Sequence, residues 1–119
     1  MADNGLSRTA PTVAALVPDL LFAARIRGAA AGARTAQTVD RLVELVGPET
    51  RLVLVDLQAP GATEAIRLLR EREDPPRIVA YGPHVDGAAL RAARQAGADR
   101  VMARGAFVKE LATIVREFA

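Results

Sequence analysis

The 119-residue chain has no cysteine and no tryptophan, one histidine, and four aromatic residues in all. Without thiols there are no disulfides, thiolate metal sites or cysteine nucleophiles, and a lone imidazole excludes zinc centres built from several histidines. Scarce aromatics leave Val, Leu, Ile and Ala to fill the core, and they leave few rings on which nucleic-acid bases could stack. Long hydrophobic runs are missing too. Nothing approaches the length that crosses a bilayer, and Met1–Pro11 lacks the apolar centre of a secretion signal. These absences predict a cytoplasmic protein that engages neither membrane nor nucleic acid.

Charge of one sign is also scarce: 16 basic residues against 14 acidic ones leave a net +2, with Lys109 the single lysine. Arg25, Arg27, Arg67, Arg70, Arg72, Arg91 and Arg94 are spread over three predicted helices and form no basic stripe. No glycine-rich phosphate fingerprint of the form G-x-G-x-x-G or G-x-x-x-x-G-K-S/T occurs. No loop is long enough to close over a substrate. A non-enzymatic role is therefore expected.

What is present is alternation. Thr12–Val17 predicts a first strand, and Pro18-Asp19 suits the opening turn and cap of a helix carrying Phe22 and Ile26. Ala33–Ala36 is a second strand of weak β-propensity. Val39, Leu42, Val43 and Val46 repeat at i, i+3, i+4 and i+7, a helical stripe ended by Gly47-Pro48. Leu52–Val55 is a third strand, and Ala62, Ala65, Ile66 and Leu69 give a third helix. Ile78–Tyr81 is the fourth strand, followed by a helix with a small face of Ala89, Ala92, Ala93 and Ala96. Val101–Ala103 is the fifth, before a last helix on Phe107, Leu111, Ile114 and Phe118. Five strands alternating with five helices predict an α/β fold, a three-layer α/β/α sandwich around a parallel sheet of order 2-1-3-4-5. Residues 12–119 form one domain, and 1–11 are expected to be a flexible N-terminal segment.

The third strand is the most informative stretch. Leu52-Val-Leu-Val55 is an unbroken apolar run, as in a strand buried on both faces. It ends in Asp56, and Pro60-Gly61 then opens a helix. In open parallel sheets, ligands and chemistry occupy the crevice beyond the carboxyl ends of the strands, which is where Asp56 falls. A carboxylate following such a run needs a partner.

Asp56-x-x-x-Pro60-Gly61, the Gly97-Ala98-Asp99 before the fifth strand and the spacing of every element resemble a response-regulator receiver domain from Thr12 to Phe118. That resemblance implies a phosphoacceptor aspartate at Asp56, an acidic pair holding Mg²⁺, a Thr or Ser ending the fourth strand, an aromatic on the fifth and a Lys-Pro after it. Asp56 and Asp19 are retained. The second acid falls on Pro18, the hydroxyl on Gly82, the aromatic on Val101 and the Lys-Pro on Arg104-Gly105. One lost carboxylate weakens Mg²⁺, so its binding at Asp19 and Asp56 is expected to be weak or absent. Gly82 offers no hydroxyl to a phosphoryl oxygen, and Arg104 replaces a compact ammonium with a planar fork. The reading is a degenerate pseudo-receiver, a stand-alone regulatory module acting through a protein partner. Homodimerisation through the fourth helix, fifth strand and fifth helix is a further expectation. A phosphoacceptor regulator using Asp56 is the alternative.

A second alternative is a small ligand- or metal-binding protein, because Asp19, Asp56, His84, Asp86 and Arg104 fall on one sheet edge with Gly82. Oxygen ligands and an imidazole suit a divalent metal, and Arg104 suits a phosphate or carboxylate. Competing readings exist for each residue. Asp19 and Asp86 precede helices and suit N-caps, His84 suits a loop hydrogen bond, and Arg104 suits neutralising Asp56. The expected pairing puts Arg104 within hydrogen-bonding reach of Asp56, lowering its pKa and competing with Mg²⁺.

Overall fold

The structure, a computed structural model, describes residues 10–119. Strand β1 is Val13–Leu16, β2 Arg34–Ala36, β3 Leu52–Asp56, β4 Arg77–Gly82 and β5 Arg100–Ala103. Between them run α1 (Leu20–Ala29), α2 (Val39–Leu45), α3 (Ala62–Arg70), α4 (Gly87–Ala96) and α5 (Arg104–Phe118). All pairings are parallel, and the strand order is β2-β1-β3-β4-β5. This is the expected three-layer sandwich.

β3 is buried along its whole length because its side chains alternate between two cores. Leu52 and Leu54 pack with Phe22 and Ile26 of α1 and Phe107, Leu111 and Ile114 of α5. Val53 and Val55 pack with Leu42 and Leu45 of α2, Ile66 and Leu69 of α3, and Ala93 of α4. An apolar residue is therefore required at every position, whichever face it meets. The weak strand β2 forms despite its composition because it is an edge strand laid on β1, with Ala14 opposite Arg34 and Leu16 opposite Ala36. Tertiary pairing overrides propensity there.

Three expectations shift. In α2 the buried residues are Leu42 and Leu45, with Val46 serving as the C-cap and Val43 only half-buried. In α4 only Ala93 of the four alanines is fully buried. Of the segment 1–11, residues 1–9 lie outside the described residues, while Pro11 is buried and its carbonyl accepts from Thr50 Oγ1 at 2.8 Å. The domain thus includes Pro11.

The Gly97-Ala98-Asp99 run has a local cause. Gly97 caps α4 with φ +113°, and a Cβ there would meet Arg70 Cγ at 2.7 Å. Asp99 then clamps β4 from both sides. Its N–H donates to the Ile78 carbonyl at 2.8 Å, and its Oδ2 accepts from Ile78 N–H at 2.8 Å and pairs with Arg70 at 3.2 Å. Replacing Asp99 by Ala is expected to cost about 1–3 kcal/mol by stranding the Ile78 N–H. Urea unfolding of the two proteins measures it, and an unchanged midpoint would show that the clamp carries no stability.

Candidate functional site

The strand order reverses between β1 and β3, and the crevice opens beyond their carboxyl ends. Asp56 closes β3 on one side of it, and Asp19 follows β1 on the other. Asp56 is only 3% exposed. Its Oδ1 accepts from Gln58 N–H at 2.8 Å, and its carbonyl accepts from Ala59 N–H at 3.0 Å, so the carboxylate is built into the turn that leads to α3. Burial pushes the Asp56 pKa up. The Gln58 hydrogen bond and the Arg104 charge pull it down, and the nearby Asp19 charge adds a smaller upward push.

The expected Arg104–Asp56 pair does not form. Neither a hydrogen bond nor an ion pair joins them among the described residues; instead the Arg104 guanidinium carbon lies 4.2 Å from the centre of the Phe22 ring. The reason is where α5 starts. β5 runs directly into the helix, with Ala103 as N-cap and Arg104 as first helical residue, so its side chain turns onto α1. The Asp56 pKa accordingly moves opposite to the direction expected of a paired carboxylate.

The remaining candidates separate. Asp19 is the N-cap of α1, its Oδ1 accepting from Leu21 N–H at 2.9 Å and Phe22 N–H at 3.2 Å. Asp86 is the N-cap of α4, accepting from Ala89 N–H at 3.1 Å. Capping employs both carboxylates, since a helix start needs an acceptor for its unpaired N–H groups. His84 is exposed in the β4–α4 loop. Among the described residues no three of His, Cys, Asp or Glu are grouped to hold a metal ion, so Asp19, Asp56, His84 and Asp86 do not form one cluster. Gly82 is buried beside Leu57, and a Cβ built on it would lie 3.4 Å from Leu57 Cβ, an ordinary contact.

Sequence reasoning missed Tyr81. It stands directly opposite Asp56 in the β3–β4 register and is wholly buried. Its ring stacks on Phe107, with centroids 4.1 Å apart, and tilts against Phe22 at 5.4 Å. Its hydroxyl has no hydrogen-bond partner, uniquely among the buried side-chain atoms of the described residues. Burial raises its pKa, and the Asp56 charge raises it further. The signal lay in register: an aromatic one residue before the end of a buried strand falls beside the residue that ends its neighbour.

No protein-family model matches the chain, and no curated protein matches it by sequence. Solved structures do. A response regulator from Thermotoga maritima aligns over 92% of this chain and 97% of its own, with a TM-score of 0.69 at 19% identity. The BeF3-activated DrrB receiver domain aligns over the same 92% and 97%, with a TM-score of 0.77 at 15% identity. The receiver domain of NtrX from Brucella abortus aligns over 88% and 95%, with a TM-score of 0.73 at 15% identity. The chain has the flavodoxin-like fold of response-regulator receiver domains.

The electrostatics of Asp56 have a measurable consequence. A raised pKa means the folded chain holds the Asp56 proton more tightly than the unfolded chain does. Above that raised value the ionised carboxylate costs stability, and the cost fades as pH falls through it towards the ordinary aspartate value. Asp56→Asn, whose Oδ1 keeps the Gln58 bond, is expected to raise the unfolding free energy by about 1–2 kcal/mol near neutral pH. Denaturation at several pH values should show the gain vanish in acid. A variant less stable than wild type at neutral pH would contradict this.

Proposed function

We propose that the protein is a non-catalytic signalling module that works by contact with another protein and runs no Mg²⁺-dependent phosphorylation switch on Asp56. One observation carries this reading: the crevice offers one buried carboxylate and one carboxylate already capping a helix. Mg²⁺ takes an octahedral shell of oxygens and is bound through exposed, acidic donors. Asp56 presents a single oxygen not engaged by Gln58, from a nearly inaccessible position. On this reading the residues present do not fit the ion.

The rest of the crevice supports the same reading. Gly82 supplies no hydroxyl to draw the β4–α4 loop inwards. Val101 is a small, half-buried residue with no ring to swing between positions. Arg104 lies over Phe22 and makes no ion pair with Asp56. The surface assigned to partner contact is α4–β5–α5, where Arg91 and Arg94 are exposed and Arg100 is engaged by Glu110 at 2.6 Å. A second copy of the chain is one occupant of that surface.

Incubation of the intact protein with a small phosphodonor and Mg²⁺, read by mass, tests the proposal. The wild type is expected to stay unmodified. The variant combining Pro18→Asp, Gly82→Thr and Arg104→Lys restores the acid, hydroxyl and ammonium, and a Cβ at Gly82 meets only ordinary contacts with Leu57 and Leu90. It is expected to gain a phosphoryl adduct that Asp56→Asn abolishes. A stable adduct on Asp56 of the wild type would make the protein a working phosphoacceptor.

A further inference from the structure

Beside the crevice, and not lined by Asp56, a cleft of about 250 Å³ opens between α1 and α5. Its walls are Asp19, Leu21, Phe22, Arg25, Arg104 and Val108. We propose that this cleft binds a small oxyanion with an apolar body, a carboxylate or a phosphate monoester, gripped by Arg25 and Arg104.

Among the described residues the side chains of Arg25 and Arg104 make no hydrogen bond or ion pair, as is also true of Arg34, Arg51, Arg91 and Arg94, but these two line one cleft. Arg104 is nevertheless held in place. Its guanidinium carbon lies 4.2 Å from the centre of the Phe22 ring, which in turn tilts against Tyr81 and Phe107. Stacking on a face leaves the in-plane N–H donors free at the edge, and a planar fork presented edge-on is the geometry that carboxylate and phosphate oxygens accept. Less side-chain freedom is then lost on binding than for a loose surface arginine.

Charge and shape narrow the ligand. Two arginines face one carboxylate across the cleft, a net positive wall. The Asp19 carboxylate is directed to its own helix by two N–H donors. Leu21 is 85% exposed and, with Val108, forms an apolar lip that water meets in the free protein. An anion with no apolar part leaves that lip uncovered, so a compact anion bearing an aryl or alkyl group fits best. The site shares Arg104 with the crevice but needs no chemistry at Asp56, so it stands whether or not Asp56 is ever phosphorylated.

Amide and arginine side-chain N–H resonances of the full chain, titrated in EDTA at fixed ionic strength, test the proposal. The probes are benzoate, phenyl phosphate, inorganic phosphate and benzyl alcohol. Saturable shifts at Leu21, Arg25, Phe22 and Arg104 are expected with benzoate, phenyl phosphate or both, and which of them binds sets the ligand class. Inorganic phosphate is expected to bind at least about tenfold more weakly, and benzyl alcohol not at all. Arg25→Ala and Arg104→Ala are each expected to weaken binding about tenfold or more. Arg41→Ala, on the far side of the sheet, should change nothing. Arg25 is exposed, so its variant keeps the test valid even if Arg104→Ala unfolds. Shifts that never saturate, alanine variants that both bind as tightly as the wild type, or equal shifts with the neutral alcohol would overturn the assignment.

Discussion

A carboxylate at the end of a doubly buried strand is the constraint around which the upper edge of this molecule is organised. β3 contributes to both cores, so its last residue inherits an apolar setting on each side. Asp56 is held there by one backbone N–H and by the field of a guanidinium that does not touch it. Desolvation outweighs both, which is why its pKa rises. Such a residue is tolerated only because the surrounding strands pack well enough to offset it, and buried groups of this kind concentrate at functional crevices.

The few aromatic residues are spent in the same place. Phe22, Tyr81 and Phe107 form one aromatic cluster, with Tyr81 opposite Asp56 in the β3–β4 register, although the chain has only four aromatics. Their rings divert Arg104. A cation that could neutralise Asp56 lies over Phe22 instead, on the wall of the α1–α5 cleft. Among the described residues Asp56 and Arg104 therefore each lack an ion-pair partner, and Asp19 caps α1.

The fold was legible because its signals are periodic. The unbroken Leu52–Val55 run, the helical spacing of Ala62, Ala65, Ile66 and Leu69, and the strand–helix alternation all point to one topology, and right-handed crossovers leave few others. Asp56, Asp19 and Asp86 were legible by position, and the two caps by their place before helices. What stayed hidden depends on side-chain direction. Nothing in the spacing says that α5 begins at Arg104 itself, and that single register sends its guanidinium to Phe22 rather than Asp56. Tyr81 was hidden for a related reason, since its place opposite Asp56 follows only from the β3–β4 pairing.

The most direct measurement is a titration of the Asp56 side-chain carboxyl carbon by NMR, with and without Mg²⁺. Dominance of burial over the neighbouring charges requires a midpoint above that of an ordinary aspartate, and the proposed absence of a Mg²⁺-dependent switch requires that millimolar Mg²⁺ leave it in place. A midpoint below the ordinary value, or one that drops when Mg²⁺ is added, would mean that Asp56 is paired and metal-competent after all.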